Sequence, residues 1–398
     1  MSGDKKTPIS KGESPALGIP IRALCRARIL MILALTVIAF TLQSCGGGGD
    51  DDEPTTSQSQ SSSQSDVSQS DSSTDNDSQS DTDDSEEQTE EEEAAATITA
   101  QDNSSLAAVL AEIVDGVTLD DEGNASISQE AIDQTTSLDL SEMDLTSLAG
   151  IEVFEHLTYL DVSENELENL NVETLTELLY LDCSENELVN LNVSTLTELE
   201  TLICSDNSIS ELDLSNQTDL LYLDCSDNTL HALDLSNQSR LVYLDCSSSF
   251  NQTETDSTVS TVDVSNNSYL EQILCYDNDF TELDLAANLK LTVLECQINK
   301  LSELEISANT DLVTLKCYQN VMNLLDISYN TLIETLLCGV QTGIIMTLKM
   351  NAEQEAVWES TWQYEALNVD VNVTIVDEDG SDYDSSASVD DFGNGGNF

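Results

Sequence analysis

Eight cysteines recur along the chain at a nearly constant interval. They are Cys183, Cys204, Cys225, Cys246, Cys275, Cys296, Cys317 and Cys338, and every interval is 21 residues except the 29 between Cys246 and Cys275. A thiol can attack a substrate, bind a metal, form a disulfide or fill a core. Zinc sites use ligand pairs at short spacing such as C-x-x-C, and a catalytic thiolate needs a neighbouring base. The sequence holds no such pair, and its two histidines, His156 and His231, fall out of register with the cysteines.

The cysteines belong to a 21-residue repeat that must position them. Each copy reads L-x-x-L-x-C-x-x-N-x-L-x-x-L-x-L, as at Leu181, Cys183 and Asn186, and Leu140 and Val162 take the cysteine position in two earlier copies. The period predicts ten stacked coils, each with a short strand whose cysteine points inward. Because a buried free cysteine behaves as a small hydrophobe, the sequence favours a core-filling column. Disulfides between neighbouring coils stay open as an alternative.

Two amide positions per coil predict two turns. One set follows the cysteines by three residues, and the other lies in the second half of each coil. The sets are Asn186, Asn207, Asn228, Asn278, Asn299 and Asn320, and Gln217, Gln238, Asn267, Asn288, Asn309 and Asn330. We expect these side chains to bond to turn backbone groups that would otherwise be buried without partners.

Residues 138–340, with this pattern, resemble the leucine-rich repeat family, in its bacterial type with a 21-residue unit. The resemblance implies a mainly β repeat solenoid, a right-handed coil with a parallel β-sheet between a short N-terminal helical cap and a C-terminal cap. It also implies a scaffold that binds other molecules rather than an enzyme. Such a function rests on the resemblance alone.

The flanking segments predict caps, which a solenoid needs at its ends. Residues 96–137 form the N-terminal cap, with a helix over 103–116 that begins at Ser104 or Ser105. Residues 341–376 form the C-terminal cap, with Trp358 and Trp362 on one helical face and then a strand over 369–376. Residues 377–398 are predicted to be a flexible acidic tail. The surplus residues of the long interval, at 247–257, are predicted to form a loop that is either part of a binding face or a neutral insertion.

The N-terminal part of the chain predicts targeting to the cell envelope. Residues 1–44 have basic residues before a 14-residue apolar run, and "LQSC" at 42–45 resembles the lipobox of bacterial lipoproteins. The resemblance implies that residues 1–44 are a signal peptide and that Cys45 carries lipid. Residues 45–95 continue as an acidic, Ser-rich linker without the apolar residues of a core. We therefore expect a protein anchored by lipid alone to the outer membrane or cell surface.

The charge of the chain narrows the classes of partner. It has 77 acidic and 11 basic residues, a formal net charge of −66. This charge repels nucleic acid phosphates and anionic lipids, and it favours cations, basic proteins or uncharged ligands. Salt adaptation, in which an acidic excess keeps a secreted protein hydrated in saline water, is the simpler explanation of this charge, and it does not exclude cation binding.

Outward strand positions form the candidate binding surface. Four Tyr–Asp pairs stack in the N-terminal half of the repeat: Tyr159 with Asp161, Tyr180 with Asp182, Tyr222 with Asp224, and Tyr243 with Asp245. Tyrosine is enriched at interaction surfaces, although it also packs well across ordinary strands. We expect a monomeric, non-enzymatic binder of a protein or polysaccharide, without cofactor or specific metal site. The alternative is a cation-dependent structural component or adhesin, with weak binding of Ca²⁺ or another cation on the acidic columns.

The stacked carboxylates predict a salt-dependent stability. Two carboxylates one strand spacing apart repel by about 0.9 kcal/mol in water, and the repulsion recurs along the columns. We expect the melting temperature to rise with sodium chloride or calcium chloride, since both screen the repulsion. A melting temperature that is equal in low salt, high salt and calcium would contradict this expectation.

Overall fold

The computed structural model describes residues 94–250, 259–364 and 371–376. The predicted signal peptide 1–44, the lipidation site Cys45, nearly all of the linker 45–95 and the tail 377–398 lie outside the described residues, as does most of the insertion 247–257. Within the described ranges, no helix has the length and apolar character needed to cross a membrane.

The N-terminal segment folds as a small α/β cap. Its elements are β1 (Ala96–Ile98), α1 (Ala100–Ile113), β2 (Val117–Leu119), β3 (Ala125–Ile127) and α2 (Gln129–Gln134). The three strands pair antiparallel in the order β1-β3-β2.

The N-terminal cap of the helix differs from the prediction. The side chain of Asn103, rather than Ser104 or Ser105, accepts the Leu106 N–H at 3.1 Å, and its non-helical backbone kinks α1. The same amide donates to the Ser147 carbonyl at 2.7 Å. Asn103 therefore caps the part of α1 that follows the kink and also joins the N-terminal cap to the first coil.

Ten parallel strands, one from each coil, form the main sheet. They are β4 (Ser137–Asp139), β5 (Tyr159–Asp161), β6 (Tyr180–Asp182), β7 (Thr201–Ile203), β8 (Tyr222–Asp224), β9 (Tyr243–Asp245), β10 (Gln272–Leu274), β11 (Val293–Glu295), β12 (Thr314–Lys316) and β14 (Thr335–Leu337). Each strand pairs in register with the next, so equivalent residues stack. The predicted parallel-sheet solenoid with 21-residue coils is confirmed.

The cysteines lie inside this solenoid. The central leucine of each strand, such as Leu181, points inward, and the cysteine two residues later does the same. All eight repeat cysteines are free thiols with no exposed surface. Burial raises the pKa of the Cys183 and Cys225 thiols well above the ordinary value. The column therefore fills the core in the position where earlier coils carry Leu140 and Val162, and its thiols are poor nucleophiles.

An amide ladder joins each coil to the next. The side-chain N–H groups of Asn228 donate to the carbonyls of Cys204, Cys225 and Ser226 at 2.9–3.2 Å, while its oxygen accepts the Ile209 N–H at 2.9 Å. One side chain thus satisfies backbone groups of two adjacent coils. The residue before each ladder amide has a positive φ, as at Asp227 with φ 49°.

A second amide ladder runs through the other turn. Gln238 donates to the carbonyls of Leu214 and Gln217 at 2.6 and 3.2 Å, and the remaining members bond in the same way. The ladder ends in the C-terminal cap, where Gln354 donates to the Ile327 and Asn330 carbonyls at 2.8 and 3.1 Å.

The coil before the insertion keeps the first ladder intact without an asparagine. Ser249 stands at the amide position, and its hydroxyl donates to the Cys225 carbonyl at 2.6 Å. Its backbone carbonyl accepts the Leu230 N–H at 2.8 Å, the role that a side-chain oxygen has elsewhere. Phe250 is buried next to Phe280, with ring centroids 5.5 Å apart. The coil therefore stays closed up to the point where the surplus residues leave it.

The C-terminal cap is a second parallel sheet with a helix. The strands β13 (Leu324–Asp326), β15 (Met346–Met350) and β16 (Val371–Ile375) pair in the order β13-β15-β16, and α3 (Ala352–Ser360) begins with a capping box between Asn351 and Gln354. Short 3₁₀ helices span Ile151–Val153 and Trp362–Tyr364.

The prediction that the two tryptophans share one helical face is wrong. Trp358 lies on α3, but the helix ends at Thr361, where the backbone leaves the helical region. Trp362 lies in the following 3₁₀ turn and donates from its indole to the Glu334 carbonyl at 3.0 Å. Both rings are buried, so they cover the end of the core from two elements.

Removal of one ladder amide should destabilise the solenoid. Asn228→Ala leaves the buried Ile209 N–H without its acceptor and removes one of the donors to the Cys204, Cys225 and Ser226 carbonyls. We expect a loss of about 1–3 kcal/mol in the free energy of unfolding. Denaturant titration measures this loss. Asn192→Ala is the matched control, because that side chain is exposed on the second half of its coil. Equal stability of both variants would show that the ladder does not hold the coils together.

Candidate functional site

The outward face of strands β5 to β9 carries the eight residues of the candidate site. The first residue of each strand is tyrosine and the third is aspartate, except on β7, which has Thr201 and Ile203. The strand register pairs Tyr159 with Tyr180 and Asp161 with Asp182, and it pairs the residues of β8 and β9 in the same way. The face therefore brings all four Tyr–Asp pairs together on one surface.

The tyrosines form two stacked pairs. The ring centroids of Tyr159 and Tyr180 are 4.5 Å apart with planes 10° from parallel, and those of Tyr222 and Tyr243 are 4.1 Å apart at 3°. Thr201 separates the two pairs because β7 lies between β6 and β8. All four rings are partly exposed, so they present a polar edge and an apolar body to a ligand.

Serines fix the aspartates below the rings. The Ser184 N–H and hydroxyl donate to Asp182 Oδ1 at 3.0 and 2.6 Å, and the same pair of bonds recurs at Asp161, Asp224 and Asp245. The other oxygen, Oδ2 of Asp182, accepts a longer bond of 3.4 Å from the Tyr180 hydroxyl. These serine hydrogen bonds were not predicted from the sequence, although the repeated Y-L-D-x-S pattern contains the signal.

Burial and like charges raise the proton affinity of this column. Burial, together with the neighbouring charge of Asp161, raises the pKa of Asp182 to about 7. Burial and Asp245 raise the pKa of Asp224 to about 7, and burial raises that of Asp245 to about 6. Burial also raises the pKa of Tyr159 to about 12, so the phenols stay neutral. The face therefore changes its charge close to neutral pH.

The second acidic column has the opposite electrostatics. This column lies in the second halves of the coils and is exposed to solvent; its members are Asp213, Asp234, Asp263 and Glu305. Each accepts the N–H of the serine two residues later at 2.9–3.0 Å. Hydrogen bonds to these serines lower the pKa of each carboxyl. The two acidic columns thus differ because the first is largely buried and the second is exposed to solvent.

Four of the five basic side chains of the described residues contact a side chain of the preceding coil. Arg240 bonds Asp219 at 2.6 Å, Lys300 bonds Asp279 at 2.8 Å and Lys316 bonds Glu295 at 2.7 Å. Lys290 lies over the Tyr269 ring, 3.9 Å from its centroid. Each partner lies 21 residues earlier. Lys316 belongs to the half of the sheet that lacks the tyrosines, so the two halves differ in charge as well as in aromatic content.

Groups that could carry catalysis are separated in the described part of the chain. His156 pairs with Glu177 at 3.2 Å on the exposed surface, and His231 contacts the Ser210 carbonyl at 2.9 Å. Both are apart from the buried cysteines. No group of three or more His, Cys, Asp or Glu among the described residues has the geometry to hold a metal ion.

Solved structures with similarity to the chain include two Listeria proteins and a leucine-rich repeat protein from Leptospira. InlJ from Listeria monocytogenes, whose functional domain includes a cysteine ladder, is 31% identical with a TM-score of 0.48, and the match covers 65% of this chain and 58% of that chain. The internalin InlF from the same species is 20% identical with a TM-score of 0.49 and coverages of 63% and 84%. A leucine-rich repeat protein from Leptospira interrogans is 18% identical with a TM-score of 0.41 and coverages of 62% and 76%.

The repeat of this sequence and its ten-stranded solenoid both have leucine-rich repeat architecture. The chain spans 58% of the length of InlJ. No family model matches the chain. A search of the curated proteins also finds no match.

The raised pKa values predict that the protein is most stable in mild acid. Between about pH 4 and pH 7 the folded state binds more protons at Asp182, Asp224 and Asp245 than the unfolded state does. The free energy of unfolding therefore falls as pH rises through this window. We expect the melting temperature to decrease from pH 5 to pH 8.

An amide at one of these positions tests the cause. Asp224→Asn keeps an oxygen for Ser226 but removes the buried charge, and it should raise the melting temperature at pH 8 by about 2–4 °C and flatten the pH dependence. Asp213→Asn, on the solvated column, should leave the slope between pH 5 and pH 8 unchanged. A wild-type melting temperature that rises from pH 5 to pH 8 would contradict the account.

Proposed function

We propose that this chain is a non-enzymatic binding scaffold that contacts a protein or a glycan with the face of strands β5 to β9. The proposal rests on one observation. Two stacked pairs of tyrosine rings lie on this face, beside aspartates that hydrogen bonds from serines hold in place. Elsewhere on the main sheet the same positions hold residues such as Gln272, Val293 and Thr314. The concentration of tyrosines on one part of a regular sheet is what a recognition surface requires.

The rigidity of the face supports this proposal. Each strand is fixed to its neighbours by the parallel ladder, and each turn is held by an amide. Tyrosine has few rotatable bonds, so a stacked and half-buried ring loses little entropy when a ligand binds. The polar edge of a phenol can donate to a backbone carbonyl or to a sugar hydroxyl, and its face can pack on an apolar side chain or a sugar ring.

An enzymatic function has less support from the described residues. The cysteines are buried with raised pKa values, which is the opposite of what a nucleophilic thiolate needs. The raised pKa values of Asp182 and Asp224 resemble those of catalytic carboxyls, but the structure offers another explanation, because burial and repetition at strand spacing produce them.

The proposed location is the outer membrane or cell surface. Lipid on Cys45 would hold the protein there, and the acidic linker 45–95 would separate the solenoid from the membrane. Such a tether suits a face that meets partners outside the cell. We propose a monomer, since the solenoid already covers its two ends with caps.

A second candidate function is a cation-dependent structural component or adhesin. The solvated column of Asp213, Asp234, Asp263 and Glu305 favours it, because these carboxyls have lowered pKa values and stay ionised under mildly acidic conditions. Calcium could then reduce the repulsion between two molecules. This candidate requires self-association, whereas the scaffold requires a different partner.

Replacement of the four tyrosines tests the proposed surface. The full chain is immobilised and incubated with a glycan array and with surface proteins of neighbouring cells, with and without calcium. We expect at least tenfold less capture of the glycan or protein partner, through the loss of contact area, when Ala replaces Tyr159, Tyr180, Tyr222 and Tyr243. Tyr269→Ala with Tyr329→Ala is the control, because both side chains are exposed outside this face. Circular dichroism checks that each variant is folded.

Two outcomes would overturn the scaffold proposal. Capture that is equal in the four-tyrosine variant and the wild type would exclude the face of strands β5 to β9. Self-association that appears only with calcium, without capture of another molecule, would favour the structural candidate.

A further inference from the structure

The centre of the tyrosine face is a strand without tyrosine or aspartate. Thr201 and Ile203 on β7 are each only 4% exposed although they occupy outward positions. Tyr180 and Tyr222 flank Thr201, and Asp182 and Asp224 flank Ile203. The centre of the face is therefore an uncharged, almost covered strand between two carboxylates and two aromatic rings.

The two carboxylates beside Ile203 are the accessible ones. Asp161 and Asp245, at the outer ends, are only 6% and 7% exposed, whereas Asp182 and Asp224 are partly exposed. Two strand spacings separate Asp182 from Asp224, or about 9.6 Å. Their charges interact across the isoleucine, since Asp224 is among the causes that raise the pKa of Asp182.

The charge of this centre has no partner on its own strands. The groups that face Asp182 and Asp224 are the carboxyls of Asp161, Asp245 and Asp227 and the neutral phenols of the stacked tyrosines. Strands β5 to β9 carry no Lys or Arg. Oδ1 of each aspartate is used by a serine, while Oδ2 of Asp182 has the long bond to Tyr180. A cationic group bound here would reduce the repulsion between the carboxylates and would donate short hydrogen bonds to them.

We propose that Asp182 and Asp224 together bind the guanidinium group of an arginine from a partner protein, above Ile203 and between the two tyrosine pairs. This proposal rests on the proposed function and names the chemistry of its partner. A guanidinium group with a hydrogen bond of about 2.9 Å on each side spans the gap between the carboxylates. Its flat faces pack on apolar surface and on aromatic rings.

Arginine fits this centre better than lysine. The guanidinium has five N–H donors in a planar fork, so one side chain can donate to both carboxylates at once. It is more weakly hydrated than an ammonium group and stacks on tyrosine more readily. An ammonium group is a point charge that contacts one carboxylate of a pair this far apart. The sheet face thus selects a delocalised, two-sided cation.

A methyl NMR titration of the full chain tests the site. The probe is N-acetyl-arginine amide, and N-acetyl-citrulline amide is its neutral isostere. We expect the arginine probe to shift the Ile203 δ1 methyl resonance saturably and the citrulline probe to leave it unshifted. Asp182→Asn with Asp224→Asn should weaken the affinity at least tenfold. Asp213→Asn with Asp234→Asn, which removes the same charge from the solvated column, should change it less than twofold.

The outcomes separate this proposal from the proposed function. An Ile203 methyl that does not respond, or an equal loss of affinity in both double variants, would overturn the arginine site. If the tyrosine variants still lose their captured partner, the binding function stands without it. If those variants keep their partner while the arginine response is intact, the proposed function falls and the cation site remains.

Discussion

In-register stacking of 21-residue coils is the constraint on which the rest of this structure depends. Each coil repeats the same backbone path one strand spacing from the last, so whatever residue occupies a position forms a column with its equivalents. Side-chain amides make this stacking possible, since Asn228 bonds to carbonyls of its own coil and of the preceding one, and Gln238 bonds to two carbonyls of the preceding coil. The inward column needs small apolar groups, and the free cysteines supply them. The outward columns have no such requirement and carry the chemistry.

The same stacking gives two acidic columns with opposite properties. On the sheet face, rings and neighbouring strands bury the aspartates, and like charges adjoin them, so protons bind near neutral pH. In the second half of the coil the carboxylates are solvated and accept N–H bonds, so they stay ionised. The buried column is therefore costly to hold charged without a ligand. A cationic partner group that approaches between Asp182 and Asp224 would reduce this cost, which connects the electrostatics of the face to its proposed binding function.

Much of the fold could be predicted from the sequence because the repeat is direct evidence of stacking. The 21-residue period gave the parallel sheet, the inward cysteines and the amide turns. Details at the ends were less predictable, since Asn103 caps α1 through tertiary contacts with the first coil and Thr361 ends α3 before Trp362. The tyrosine and aspartate columns were visible as well. The pairing of the tyrosine rings and the hydrogen bonds from the serines could not be predicted, because side-chain conformation and burial depend on neighbouring side chains, which the repeat period does not specify.

The most direct test of the account is a pH titration of the aspartate side-chain carboxyl carbons by NMR. The claim is that one residue type, repeated by one coil, has two electrostatic environments. The account predicts that Asp182, Asp224 and Asp245 titrate near pH 6–7, whereas Asp213, Asp234 and Asp263 titrate below the ordinary pKa of aspartate. A single group of titrations close to the ordinary value for all six residues would contradict it.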